Sequence, residues 1–328
     1  MNNQITTSIC DLNGNKACAV TFTTDDALYK SCLFYNSRFK KYGLKGTAVI
    51  TLDMVAEENA KRMPGDESGT WDQWRDIVDQ GCFDIANHTK SHTNLDKLSP
   101  DELEIEINKT RKILLSNFPG QKVLCMANPY VVTNDMIDDI IRQQHYSARN
   151  GEGGFNTVDP SDNEWYRLNF KVALHDTSAE DMNAWVDKAV LNHNWLIELW
   201  HGIDGQGWEP PTSAVCDSHL SYLAMNLSSV WNGTMNEVTQ YIREKQNANI
   251  ETTFTNNGRI MIILNVNLDT SLFTYPLTLK TTLPEGWTGA RIIQGNHIES
   301  AFAQHEGNTV YVVYDAVPNA GKIMLTEY

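Results

Sequence analysis

What most limits the fold of this chain is a rhythm: through its first two-thirds, apolar runs of strand length alternate with polar, helix-prone stretches. Ala17-Cys18-Ala19-Val20-Thr21-Phe22 is followed by such a stretch and then by Gly46-Thr47-Ala48-Val49-Ile50-Thr51. Phe83-Asp84-Ile85-Ala86, Lys122-Val123-Leu124-Cys125-Met126 and Trp195-Leu196-Ile197-Glu198-Leu199 continue the series. This pattern reads as repeated β-α units. The clearest helix opens at Ser99-Pro100-Asp101-Glu102, with Ser at the N-cap, Pro in the first turn and acids beside it. Leu103, Ile107, Ile113 and Leu114 follow at helical spacing, so the helix is expected to reach Asn117 and stop before Pro119-Gly120. A last helix is expected over Met235 to Gln246, with Val238, Tyr241 and Ile242 on one side.

The texture then changes. Phe254, Ile260 to Val266, Leu277-Thr278-Leu279, Ala290 to Ile293 and Val310 to Tyr314 are short β-rich runs separated by turn formers such as Asn256-Asn257-Gly258 and Pro284-Glu285-Gly286. The expected organisation is a β/α domain over residues 1–248 and a small all-β, sandwich-like domain over 249–328, joined at Asn247-Ala248-Asn249.

Composition narrows the class. The 328 residues are 41% hydrophobic with 9 Trp, 12 Tyr and 10 Phe, enough apolar surface to exclude a disordered chain. A net charge of -15 with no basic run longer than Arg38-Phe39-Lys40-Lys41 argues against nucleic acid and acidic membrane surfaces as partners. No apolar stretch approaches the roughly 20 residues of a membrane helix. The start, Met1-Asn2-Asn3-Gln4, lacks the pattern of a secretion signal. The six cysteines form no CxxC pair, so reduced, buried thiols are expected rather than a disulfide framework.

Four sequence signals carry chemistry. His88-Thr89-Lys90-Ser91-His92 follows the strand Phe83 to Ala86, and two imidazoles at i and i+4 on a helical turn can close on one divalent ion, the alternative being a polar turn with no ligand. Asp25-Asp26 follows the first strand, and by itself is as well read as a solvated loop or a helix N-cap. Glu198-Leu199-Trp200-His201 ends a strand in His, and Asn128-Pro129-Tyr130 follows another. All four lie past strand C-termini, where barrel active sites collect their residues.

The ordered combination resembles the polysaccharide deacetylases of the NodB-homology type, carbohydrate esterase family four, over residues 15 to 245. The resemblance implies a distorted (β/α) barrel that holds one divalent ion and removes acetyl groups from an N- or O-acetylated poly- or oligosaccharide through a metal-activated water. By position, Asp26, His88 and His92 match the metal ligands, Asp25 the catalytic base and His201 the general acid, with the Tyr130 backbone N–H stabilising the oxyanion. Zinc is the expected ion, with cobalt and nickel as alternatives, and the family implies a secreted or periplasmic setting.

The sequence departs from the family pattern in three places. An extra Thr-Thr step precedes the Asp pair, and Ala27 follows it where Gly is usual. Ala127 occupies the place of an Arg that pairs with the catalytic Asp; Arg149, after the next expected strand, is the replacement weighed against a surface arginine. Glu164-Trp165 matches the family's aromatic motif poorly. Trp200, Trp208 and Tyr130 are read either as a sugar-binding cleft or as packing. Gly151-Glu152-Gly153-Gly154 reads as a flexible loop near the barrel mouth. Two other functions stay open at this point: the same metal site acting on a non-sugar amide, and a catalytically weak carbohydrate-binding protein, which the missing motif Arg would favour.

Overall fold

A computed structural model describes residues 5–55 and 68–328. Its contacts group the chain into two compact units, one of residues 17–239 and one combining 1–16 with 240–328. The expected division at 248/249 therefore differs at both ends. The N-terminal strand β1 (Thr7–Ile9) belongs to the β unit, and the break falls inside the last helix rather than after it.

The larger unit is a ring of parallel strands: β2 (Cys18–Thr24), β3 (Gly46–Ile50), β4 (Phe83–Asn87), β5 (Cys125–Ala127), β6 (Ser147–Gly153), β7 (Leu168–Val172) and β8 (Trp195–Trp200). Strand β2 pairs with both β3 and β8 and closes the seven-stranded barrel, while β9 (Val230–Asn232) pairs with the start of β2, Cys18 to Val20, ahead of the residues that meet β3. Helices α1 (Tyr29–Tyr42), α2 (Trp71–Asp79), α3 (Pro100–Glu104), α4 (Thr110–Asn117), α5 (Asp135–Arg142), α6 (Ala179–Asn192), α7 (Ser213–Met225) and α8 (Met235–Gln246) connect the strands. None of the helices among the described residues is long and apolar enough to cross a membrane.

Local chemistry sets these boundaries. Ser99 and Ser178 begin α3 and α6 with capping boxes to Glu102 and Asp181. Gly43, at φ 67°, ends α1 in the left-handed conformation that glycine adopts without a Cβ penalty. The helix expected from Ser99 to Asn117 is present, but one turn of it, Ile105–Lys109, is π-helical. The stretch read as a flexible glycine loop is instead the end of β6, and Arg149 lies within that strand rather than after it. A Cβ at Gly151 would come within 2.4 Å of the Arg167 carbonyl, so the glycine is needed for close strand approach. Sequence periodicity missed β7 and β9 because each is short and mixed in polarity.

The smaller unit holds two antiparallel sheets. One runs β1, β12 (Leu277–Thr282), β16 (Thr309–Ala316), β15 (Gln304–Glu306); the other runs β10 (Ala248–Phe254), β11 (Ile260–Val266), β17 (Ile323–Glu327), β13 (Gly289–Gln294), β14 (His297–Phe302). Thr7 pairs with Thr281, which is why the N-terminus joins this unit. Alternating Ile260, Ile262, Leu264 and Val266 are buried along β11, as the period of a half-buried strand requires.

Candidate metal centre

Each group singled out by the strand-end argument sits at the C-terminal rim of the barrel. After β2 the chain turns left-handed, with φ 71° at Asp26 and 53° at Ala27. The second angle explains why glycine suits position 27, since alanine holds that conformation only under strain. Both carboxylates are buried, at 4% and 6% exposure.

Past β4 the two histidines converge, with ring centroids 4.9 Å apart. The segment is not the helical turn that i, i+4 spacing suggested: it is an irregular loop with positive φ at Thr89 (68°) and His92 (57°). Asn87 Oδ1 accepts from Thr89 N at 2.9 Å, and Thr89 Oγ1 accepts from His92 N at 3.1 Å. The Glu106 carboxylate, from the π turn, accepts from the backbone N–H groups of Lys90 and Ser91.

One donor atom each from Asp26, His88 and His92 lies within 4.8 Å of the others. His88 Nδ1 is 2.8 Å from the Ala127 carbonyl, which only accepts, so Nδ1 carries a proton and Nε2 is the nitrogen turned toward the centre; burial opposes protonation of this ring, but Asp25, Asp26 and the Ala127 carbonyl outweigh it and raise its pKa. That Nε2 lies 3.5 Å from Asp26 Oδ1, and His92 Nε2 lies 3.2 Å from the same oxygen. Oδ1 lies against both imidazoles yet satisfies hydrogen-bond geometry with neither. Burial opposes ionisation of Asp26, but the two imidazoles outweigh it and hold the carboxyl far below the usual carboxylate range. Two imidazole nitrogens and a buried oxygen anion that lacks a hydrogen are a donor set suited to a divalent cation.

Asp25 sits beside this set, its Oδ2 3.6 Å from His88 Nε2. The Arg149 guanidinium, 2% exposed, reaches from β6 and hydrogen-bonds the same Oδ2, leaving Asp25 Oδ1 buried and unpartnered. Arg149 also lies over the Phe170 ring, 4.9 Å from its centroid. His201 follows β8; burial lowers its proton affinity, and Asp25 and Asp26 partly oppose that. The Trp208 ring meets the His201 ring edge-on at 5.3 Å, and Tyr130 meets His92 edge-on at 4.8 Å with its hydroxyl 3.2 Å from His92 Nδ1. Tyr130 and Trp208 are 65% and 56% exposed, whereas Trp200 and Trp165 are buried core. An open pocket of about 520 Å³ is lined by Ser91, His92, Thr93, Asn94 and Tyr130.

Tight local geometry presents Trp208. A Cβ at Gly202 would stand 1.8 Å from the Gln206 carbonyl, so only glycine lets the loop fold back there. Asp204 Oδ1 accepts from Ser213 N at 2.8 Å, tying the loop to the start of α7.

Other expectations fall outside the centre. The helix after His175-Asp176 is capped by Ser178, and His175 pairs with Glu209. All six cysteines are free, and all but Cys82 are buried. His219 belongs to a buried cluster: its Nε2 is 3.2 Å from Glu198 Oε1, its Nδ1 is 2.8 Å from Asn183 Oδ1, and Trp200 Nε1 donates to Glu198 Oε2 at 3.0 Å. The sequence signal for that cluster was a lone acid in an apolar strand.

Residues 13–148 match the family model described as polysaccharide deacetylase. Among curated proteins, a gellan lyase from a Bacillus species is 22% identical over 338 residues, a match that covers 95% of this chain but only 13% of that protein's length. Among solved structures, the Xyl-CE4 domain of a multidomain xylanase from the hindgut metagenome of Trinervitermes trinervoides is 16% identical with a TM-score of 0.46, covering 71% of this chain and 92% of that one. A family 4 acetyl xylan esterase from Clostridium thermocellum, solved with a cobalt ion, is 18% identical with a TM-score of 0.45, covering 67% of this chain and 89% of that one.

Proposed function

We propose that this chain, whose residues 13–148 match the polysaccharide deacetylase model, hydrolyses acetyl groups from an N- or O-acetylated poly- or oligosaccharide, with Asp26, His88 and His92 holding one divalent ion, zinc before cobalt or nickel. The observation that carries this reading is the convergence of those three donors beside an Asp25–Arg149 ion pair.

When bound, the ion supplies Lewis acidity, polarising the acetyl carbonyl and lowering the pKa of water. Asp25 takes the proton of the attacking water at Oδ1, the oxygen that Arg149 leaves free. Arg149 fixes the orientation of that carboxylate. His201, protonated, gives its proton to the departing sugar nitrogen or oxygen, and its burial makes the imidazolium a stronger acid. The Tyr130 N–H, beside His92, serves as an oxyanion donor in this reading. Acetate and the deacetylated sugar leave, and the proton held by Asp25 balances the one lost by His201.

The exposed rings of Tyr130 and Trp208 favour a sugar over a small amide, because each offers an apolar face next to a site histidine. The Arg149–Asp25 pair supports catalysis over a binding-only protein, because a buried guanidinium reaches Asp25 although position 127 is alanine. Acetate release from acetylated xylan and from chitooligosaccharides, measured before and after chelation, tests the proposal. Chelator-sensitive release from either supports it, and no release from a metal-loaded protein on any acetylated glycan overturns it.

A further inference from the structure

A helix with good caps and no interior Gly or Pro has no sequence reason to break its own hydrogen-bond ladder, yet the segment Ser99–Asn117 contains a π turn at Ile105–Lys109. Such turns are rare and concentrate at functional sites. This one faces the histidine loop.

Five hydrogen bonds run from that loop and its adjoining strand residue to Glu106 and Ile107 that no helical ladder would use. Glu106 Oε2 accepts from Lys90 N and from Ser91 N, both at 2.9 Å, and Oε1 accepts from Ser91 Oγ at 2.8 Å. Ile107 O accepts from Asn87 Nδ2 at 2.9 Å, and Asn87 in turn holds Thr89 N. The Lys90 N–H is also shared with the Glu106 carbonyl at 3.1 Å. The contacted residues flank or separate His88 and His92, in a loop that holds Thr89 and His92 in a conformation non-glycine residues resist. An ionised carboxylate only accepts, so it matches three converging donors in a way an amide cannot.

We propose that Glu106, projected by the π turn, is a positioning residue that preorganises the His88–His92 loop and thereby sets the affinity and geometry of the metal centre. The inference rests on the assignment of Asp26, His88 and His92 as ligands. Glu106 touches no ligand atom and acts through the backbone between the two histidines.

The test compares wild type, Glu106→Gln and Ser91→Ala, using zinc dissociation constants from chelator competition and the visible absorption of the cobalt-substituted proteins. Thermal unfolding of each metal-free form reports folding separately. Glu106→Gln, which keeps size but turns a donor toward donors, is expected to bind zinc about 10- to 100-fold more weakly and to change the cobalt spectrum. Ser91→Ala, which loses one bond to Oε1, is expected to weaken binding by about threefold or more. A folded Glu106→Gln with wild-type affinity and spectrum overturns the proposal, even if its unfolding temperature falls. Should Glu106→Gln fail to fold, unchanged zinc affinity in Ser91→Ala overturns it instead. A wild type that binds no ion defeats the ligand assignment itself, so the two failures are told apart.

Discussion

Arg149, on β6, hydrogen-bonds Asp25, at the end of β2, across the mouth of the barrel. The position where the family resemblance expects that arginine is Ala127, on the neighbouring strand β5, and its backbone carbonyl holds His88 instead. Arg149 thus reaches, from one strand further along, the carboxylate that the resemblance pairs with an arginine at position 127.

Replacing that charge separates catalysis from metal binding. We expect Arg149→Ala to lower kcat about 100-fold while retaining the ion, and to cost about 3 kcal/mol of stability, because a buried carboxylate is left uncompensated. Arg149→Lys should recover only part of the rate, since an ammonium lacks the planar fork. Steady-state kinetics with denaturant unfolding checks this, and a wild-type rate in Arg149→Ala would remove Arg149 from the site.

The two adjacent aspartates have different jobs in this account, although sequence makes them look equivalent. Asp25→Asn should lower kcat by about 10²- to 10⁴-fold with metal content intact, the usual contribution of a general base. Asp26→Asn should instead lose the ion. Metal analysis and kinetics on both variants decide whether the division holds.

The rim aromatics are assigned to the sugar rather than to the chemistry. Trp208→Ala should raise KM for an oligosaccharide about threefold to tenfold while leaving kcat and metal content near wild type, the signature of lost uniform binding. A fall in kcat with unchanged KM would instead tie Trp208 to the orientation of His201.

Stability should carry two opposed pH dependences from groups outside the metal centre. Burial, reinforced by Arg111, pushes His145 from its ordinary 6.5 down to about 3. Below 6.5 the unfolded chain takes up a proton that the fold refuses, so this contribution is complete above that pH and lost as pH falls toward 3. Burial raises Asp84 from 3.8 to about 6, against hydrogen bonds from Thr234, Asn236 and Thr47. The unfolded chain ionises there first, so that contribution is complete below 3.8 and lost as pH rises to 6. Between about pH 4 and 6 each slope amounts to about 1.4 kcal/mol per pH unit and the two oppose one another. Relative to wild type, His145→Gln should lose stability as pH rises through this window and Asp84→Asn should gain it. Parallel unfolding profiles for all three proteins would contradict both assignments.

The barrel was legible because a strand with both faces covered, such as β2, is buried along its whole length, carries no charge and stands out against polar helices. The cap at Ser99 was equally direct, since its chemistry is local. The site was legible as a list of strand ends, but spacing gave the wrong backbone for His88 and His92: an i, i+4 pair can also be brought together by a loop with left-handed residues, and what braces that loop, Glu106, lies 14 residues beyond His92. The pairing of β1 with β12 was invisible for the same reason, because a three-residue strand has no periodicity and its partner is 274 residues away at Thr7 and Thr281. Long-range contacts of this sort are set by tertiary packing, which local propensity does not encode.

The central claim is that Asp26, His88 and His92 together hold one divalent ion. Elemental analysis of the purified protein, beside His88→Ala and His92→Ala prepared identically and supplied with zinc, tests it most directly. The account predicts about one ion per chain in wild type and a large loss in each variant. No bound ion in zinc-supplied wild type, or full occupancy in both variants, would contradict it.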